Sequence, residues 1–278
     1  MAINHERRYN PRTTVPDRAE IASRWAAEGE RVRAQSRCRL DVPYGIDPME
    51  TMDLFLPEGK VKGLLMFIHG GYWRANDKRD FSFIAPAFTR AGVMVAMPNY
   101  SLCPAVTVDV IVRQMLQACA WLHRNGRHFE APAGDLVVSG HSAGGHLTAM
   151  MLAALWPVLA SDLPARVVRA GISLSGLYDV RPLMAVQSIN AEVRLDEAMA
   201  LKVSPALMPP ATDAPLHTFV GGDENEGFHI QNRLIARAWP GVHRRHPDVP
   251  GANHFTLLDH LANPLDRLNR QVLDIVVG

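Results

Sequence analysis

A mostly parallel β-sheet with helices on both faces is predicted by three features of this 278-residue sequence. Short, almost unbroken apolar runs, such as Gly63 to Ile68, Val93 to Met97 and Ala170 to Leu174, suit strands buried on both faces. They alternate with longer stretches of helical periodicity, the pattern of βαβ units. The run from Leu136 ends in Gly140-His-Ser142-Ala-Gly144 and passes straight into Leu147 to Leu155. A strand that turns sharply at a serine and enters a helix presents that serine above the sheet edge.

Residues 1–35 carry Pro11, Pro16 and then a charged, Ala-rich segment from Asp17 to Gln35, predicted to be a helix with Ile21, Trp25 and Val32 inward. This reads as an arm over the domain, near the site. Arg39 to Tyr44 and Met52 to Leu56 alternate around Gly45 and Pro48 and predict an antiparallel hairpin. After the strand at 63–68 come a helix over Phe81 to Ala91, a strand at 93–97, and a helix over Val106 to Leu122. The elbow strand Leu136 to Val138 precedes a helix running to about Trp156, and then the strand 170–174. Residues 177–215, with prolines at 182, 205, 209 and 210, are too long for a tight connection. They predict a cap-like insertion of short helices over the carboxyl edge, a usual place for substrate pockets. A strand at 216–220, a helix at 230–239 and an edge strand at 242–249 follow. A final helix at 264–277 puts Leu265, Leu268, Val272 and Ile275 on one stripe. One domain spanning 1–278 accommodates all of these.

Composition narrows the partners. A net charge of +1 without a basic block argues against nucleic acid or an anionic membrane. No apolar stretch reaches the ~20 residues that span a bilayer, and the N-terminus lacks a signal-peptide core. Cys38, Cys103 and Cys119 are widely spaced and without metal-ligand spacing. The expectation is a cytoplasmic protein that acts on a small molecule with no cofactor or metal, and a homodimer is compatible with it.

A serine hydroxyl is a weak nucleophile near neutral pH and needs a base, which in turn needs an orienting acid. Ser142 is the candidate nucleophile. His254, on the loop Pro250 to Phe255 after the last strand, is the candidate base. His243 and His246 fall in an edge strand and His260 in a helix; His141 reads as a structural residue pointing away from Ser142, and His146 as packing beneath it. The acid is Glu224 or its neighbour Asp223, and Glu224 is preferred because Gly221-x-x-Glu224 has the usual spacing after such a strand. His69-Gly70-Gly71, directly after a buried strand, brings bare N–H groups toward a substrate carbonyl. Gly70 or Gly71, with the amide of Ala143 at a helix N-terminus, forms the candidate oxyanion hole.

His69-Gly-Gly-Tyr-Trp73, Asn99-Tyr-Ser-Leu-Cys-Pro104, Gly140-His-Ser-Ala-Gly-Gly-His146, Gly222-Asp-Glu224 with Phe228 and Gln231, and Asn253-His-Phe255 together resemble the kynurenine formamidase (arylformamidase) branch of the α/β-hydrolases. That branch lies beside the hormone-sensitive-lipase-like esterases. The resemblance runs from about Tyr9-Asn-Pro-Arg12 to the last helix. It departs at Ser101, where the related esterases often carry Arg, and at Glu224, where many relatives carry Asp. It implies the α/β-hydrolase fold and hydrolysis of N-formyl-kynurenine or a related N-acyl aromatic amine. Tyr72 and Trp73 are the candidate substrate contacts, placed to face an aromatic leaving group; for Trp73 the alternative is that it anchors the oxyanion loop against the core. A carboxylesterase for small or aryl esters and a non-catalytic binding protein of the same fold remain open.

Overall fold

The computed structural model describes residues 4–132 and 134–278. Eight strands form one sheet: β1 (Cys38–Pro43), β2 (Thr51–Phe55), β3 (Gly63–Ile68), β4 (Val93–Pro98), β5 (Leu136–His141), β6 (Ala170–Leu174), β7 (Leu216–Phe219) and β8 (His243–Arg245). Their spatial order is β1-β2-β4-β3-β5-β6-β7-β8. The β1–β2 and β2–β4 pairs are antiparallel and all the others parallel. The predicted hairpin and all five expected central strands belong to this sheet.

Alternation along the central strands divides the core in two. Leu64, Met66 and Ile68 with Met94, Ala96 and Val138 face one helical layer. Leu65, Phe67, Val93, Val95 and Val137 face the other, which holds Trp25, Phe81, Leu257, Leu268 and Val272. Both faces are therefore mainly apolar, and the polar residues buried within the strands are few, among them Asp53, Ser139, Ser173 and Thr218. The strand order reverses at β3, with β4 on one side and β5 on the other, so a crevice opens beyond their carboxyl ends, where ligands bind in such sheets.

Several boundaries differ from expectation. The segment read as one helix over 81–91 is a 3₁₀ helix, Lys78–Ile84, followed by a short α-helix, Ala85–Thr89, with a proline in its first turn. β5 extends to His141, and the helix after it ends at Leu152; Trp156–Leu159 is a separate turn. The expected strand at 242–249 keeps only β8, with a single further bridge between Gly221 and Val249. Pro247, which has no N–H to give the ladder, accounts for the break. The last helix, Arg267–Val277, buries Leu268, Asn269, Val272 and Val276, whereas Leu265 is 77% exposed and Ile275 only half-buried. Its inward stripe follows i, i+4, i+8 from Leu268.

Between β6 and β7 lie four short helical turns, Arg181–Ala185, Gln187–Val193, Glu197–Lys202 and Pro205–Leu207. Their Leu183, Ile189, Val193 and Ala200 belong to the first core layer. At the other end of the chain, helix Arg18–Gln35 buries Ile21, Trp25 and Val32 as its spacing predicts. Trp25 packs against Phe81, Phe83 and Phe255 and donates from Nε1 to Asp259 at 2.8 Å. Among the described residues no helix is long and apolar enough to cross a membrane.

The β7–β8 edge carries an acid-sensitive cluster. His217 Nδ1 lies 3.0 Å from His246 Nε2, and His243 Nε2 lies 2.8 Å from Thr218 Oγ1. Burial, reinforced by neighbouring positive groups, pushes His217 and His243 down to about 4. Burial also lowers His246, and takes His146 in the core to about 4. The native chain thus binds fewer protons than the unfolded one between an ordinary histidine value of roughly 6.5 and about 4. Their unfavourable effect is absent above that window and grows as pH falls through it. Denaturant midpoints should fall steadily from pH 7 to pH 4.5; a flat profile would contradict this assignment.

Candidate active site

The crevice beyond β3 and β5 is a cavity of about 410 Å³. Its floor is Gly70, Gly71, Tyr72, His141, Ser142 and His254; Phe81 and Phe255 form aromatic walls, and Pro11, Arg12, Arg18, Ala22 and Trp25 come from the N-terminal arm. A cavity of this size suits a small molecule.

Ser142 sits at the turn between β5 and helix Ala143–Leu152, with φ 56° and ψ −115°. Its N–H donates to Leu174 O at 2.8 Å, which ties the turn to β6. Left-handed backbone at a non-glycine residue is strained, and such strain gathers at functional sites. The close packing explains the flanking glycines. A Cβ at Gly140 would lie 2.2 Å from Gly144 O, and one at Gly144 would lie 2.0 Å from Ile68 O. Ser142 is 2% exposed, and its hydroxyl has no hydrogen-bond partner among the described residues.

His254 is 3% exposed. Its Nδ1–H donates to Glu224 Oε2 at 2.7 Å, and the Glu224 carboxylate is fully buried. Oε1 of the same carboxylate accepts from Gly221 N at 2.8 Å and from the Ser175 hydroxyl. Three donors thus converge on one buried carboxylate and fix its position against the imidazole. Asp223, by contrast, is exposed. Phe228 stacks on the imidazole with ring centres 4.2 Å apart. The loop itself is fixed by Asn253, whose Oδ1 accepts from Phe255 N at 2.9 Å and Thr256 N at 3.0 Å.

The glycine loop after β3 is held from below. A Cβ at Gly70 would come within 2.8 Å of His141 O, so only glycine lets the loop lie against the serine turn. Gly71 has φ +124°, and Tyr72 and Trp73 are also left-handed, at 50° and 57°. Asn76 Nδ2 donates to Gly70 O at 3.1 Å. His69 is stacked on Tyr100 at 4.2 Å, and the Tyr100 hydroxyl donates to His69 O at 3.0 Å. Ala143, fully buried, is the first residue of its helix, where N–H groups lack intrahelical partners.

Two aromatic expectations separate here. Tyr72 lines the cavity, but its hydroxyl is spent on Tyr9 O. Trp73 does not reach the cavity: it is fully buried, donates from Nε1 to His146 Nδ1 at 3.3 Å and meets that ring edge-on. It anchors the glycine loop to the core instead of facing a ligand. His141 also departs from expectation. It lines the cavity and donates from Nε2 to His254 O at 2.8 Å, with the two rings 4.6 Å apart. Burial, and then the neighbouring His254, hold it well below the ordinary histidine value, as a neutral ring. Alternation along β5 places His141 on the same face as Val137, toward the layer that carries Leu257, and this is the signal that locates it. Ser175 follows a buried strand and could have been singled out on that ground; no local pattern marks it as a partner of Glu224.

A solved structure from Silicibacter sp. TM1040, provisionally named a thioesterase, is similar over 100% of both chains, with 33% identity and a TM-score of 0.86. The chain belongs to the α/β-hydrolase superfamily. Within this α/β-hydrolase, residues 52–157 match the BD-FAE family model. The kynurenine formamidase of Danio rerio is 26% identical over 280 residues, covering 97% of this chain and 92% of that protein. That of Drosophila melanogaster is 34% identical over 168 residues, 59% of this chain and 54% of that protein. Among the described residues of this α/β-hydrolase, no three His, Cys, Asp or Glu side chains gather as a metal site.

Proposed function

We propose that this chain is a serine hydrolase that cleaves N-formyl aromatic amines, N-formyl-kynurenine being the model substrate. The observation that carries the reading is the buried Glu224–His254 pair at 2.7 Å, whose imidazole lines the same cavity as a serine on a strained strand-to-helix turn. With Nδ1–H given to Glu224, the bare Nε2 of His254 is the free base of the ring. Ser142 Oγ attacks the formyl carbon as His254 takes its proton. The carbonyl oxygen becomes an oxyanion facing the N–H groups of Gly70 or Gly71 and Ala143, each donor contributing about 3–4 kcal/mol. His254 then hands the proton to the departing nitrogen as the C–N bond breaks. Water, deprotonated by the same ring, releases formate and restores Ser142.

Trp25, Phe81 and Phe255 give the cavity an aromatic lining that fits an aryl leaving group. The kynurenine formamidases of two animals among the relatives agree with a formamide substrate. Esters would use the same groups, so the test is comparative. N-formyl-kynurenine should be turned over with a higher kcat/KM than para-nitrophenyl acetate or a short acyl thioester. A clear preference for either ester would replace the formamidase reading with an esterase one.

A further inference from the structure

Two arginines of the N-terminal arm, Arg12, which is exposed, and Arg18, which is half-buried, stand among the residues lining the cavity. Arg12 and Arg18 both line it together with Ser142 and His254, and among the described residues neither pairs with a carboxylate. Their charged neighbours are unevenly divided. Arg74, close by, is already bound to Glu192, and Asp80, which also lines the cavity, accepts a hydrogen bond from Asp77 N at 3.0 Å as part of a helix cap. Burial, and then the charges of Arg74 and Arg18, push the Arg12 guanidinium below its ordinary value. Two like charges thus line one cavity, against their mutual repulsion, beside the Asp80 carboxylate and the aromatic rings of Trp25, Phe81 and Phe255.

We infer that Arg12 and Arg18 select substrates bearing a carboxylate, so that the arm is a specificity element and not only a cover. The inference deepens the proposed hydrolase reading and rests on it. The forked donors of arginine match a carboxylate geometrically. Because Ser142, Arg12 and Arg18 line one cavity of about 410 Å³, the anion and the scissile bond belong to one compact molecule. A coenzyme thioester, whose phosphates lie a long flexible arm away from the acyl carbon, does not meet that condition. Arm docking supports the same assignment: Tyr9 O accepts the Tyr72 hydroxyl, Arg8 pairs with Glu226, and Thr14 Oγ1 donates to Asn225 Oδ1 at 2.9 Å, so residues 8–14 are fixed against the catalytic loops.

The test uses two isosteric pairs, para-formamidobenzoate with its carboxamide and para-acetoxybenzoate with its carboxamide. The acid-to-amide ratio of kcat/KM, compared between native protein and variant, cancels the intrinsic reactivity of each substrate. Arg12→Ala and Arg18→Ala should each lower that ratio on the order of ten-fold, the usual effect of losing a hydrogen bond to a charged group. The loss should fall on KM, and Arg→Lys variants should recover part of it. Thermal melting checks that each variant is folded. Ratios unchanged in both series, or a preference for acyl-coenzyme A over every carboxylate substrate, would overturn the inference. If only the ester pair is turned over and its ratio falls as described, the arginine assignment stands while the formamide reading fails. If formanilides are good substrates with unchanged ratios, the arginine assignment alone is lost.

Discussion

Replacing Ser142 by alanine should lower kcat/KM by on the order of 10⁴- to 10⁶-fold while leaving the melting temperature within a few degrees of the native value. The loss is large because no other nucleophile lines the cavity at the serine turn, and because the imidazole and the main-chain donors act as a unit with it. Stability should hardly change. The Ser142 hydroxyl has no hydrogen-bond partner among the described residues, and the turn is fixed by Leu174 O and by the close contacts of Gly140 and Gly144, none of which involve the Ser142 side chain. Alanine pays the same backbone strain at φ 56° as serine does. Parallel steady-state kinetics and melting curves check both halves of this expectation. Residual activity above about a hundredth of native would remove Ser142 as nucleophile.

The second large effect belongs to Glu224. Glu224→Gln should cost about 10³- to 10⁴-fold in kcat, the scale seen when the acid of such a triad is neutralised. Three donors, from His254, Gly221 and Ser175, meet this carboxylate in a fully buried position. An amide in its place turns one donor pair into a clash and favours the wrong histidine tautomer. Glu224→Ala leaves all three donors without an acceptor, at a cost of about 1–3 kcal/mol for each that water cannot reach, so its melting temperature should drop too. Asp223→Ala should stay within a few-fold of native, since that side chain is exposed. The reverse ranking would mean that the acid had been misassigned.

The central strands β3 to β6 were readable because burial on both faces leaves an apolar run, which β7, Leu216-His-Thr-Phe219, keeps only in part. The serine turn was readable for a different reason: its glycines are demanded by contacts of 2.0–2.2 Å that any side chain would violate. The spacing of Ile21, Trp25 and Val32 revealed a docked helix, yet nothing local could reveal that the same arm carries Arg12 and Arg18 to a cavity formed by residues more than fifty positions away. Trp73 illustrates the opposite limit. Its position beside the glycine loop suited a ligand contact or a core anchor equally well, and its partner, His146, one turn into the helix after Ser142, decides for the anchor. His141 was misread because the turn was considered without strand alternation. β8 was overextended because charged residues suit a sheet edge and the strand was carried through Pro247, where the ladder has no donor.

The central claim is that a reactive alcohol at Ser142 is activated by His254 next to main-chain N–H groups. Treatment of the native protein with an organophosphonate, followed by peptide mass spectrometry, tests it most directly. One adduct per chain, on Ser142, lost in His254→Ala and strongly slowed in Glu224→Gln, is the predicted result. A native protein that stays unlabelled, or that is labelled equally well without His254, would contradict the account and leave a hydrolase fold serving as a binding protein.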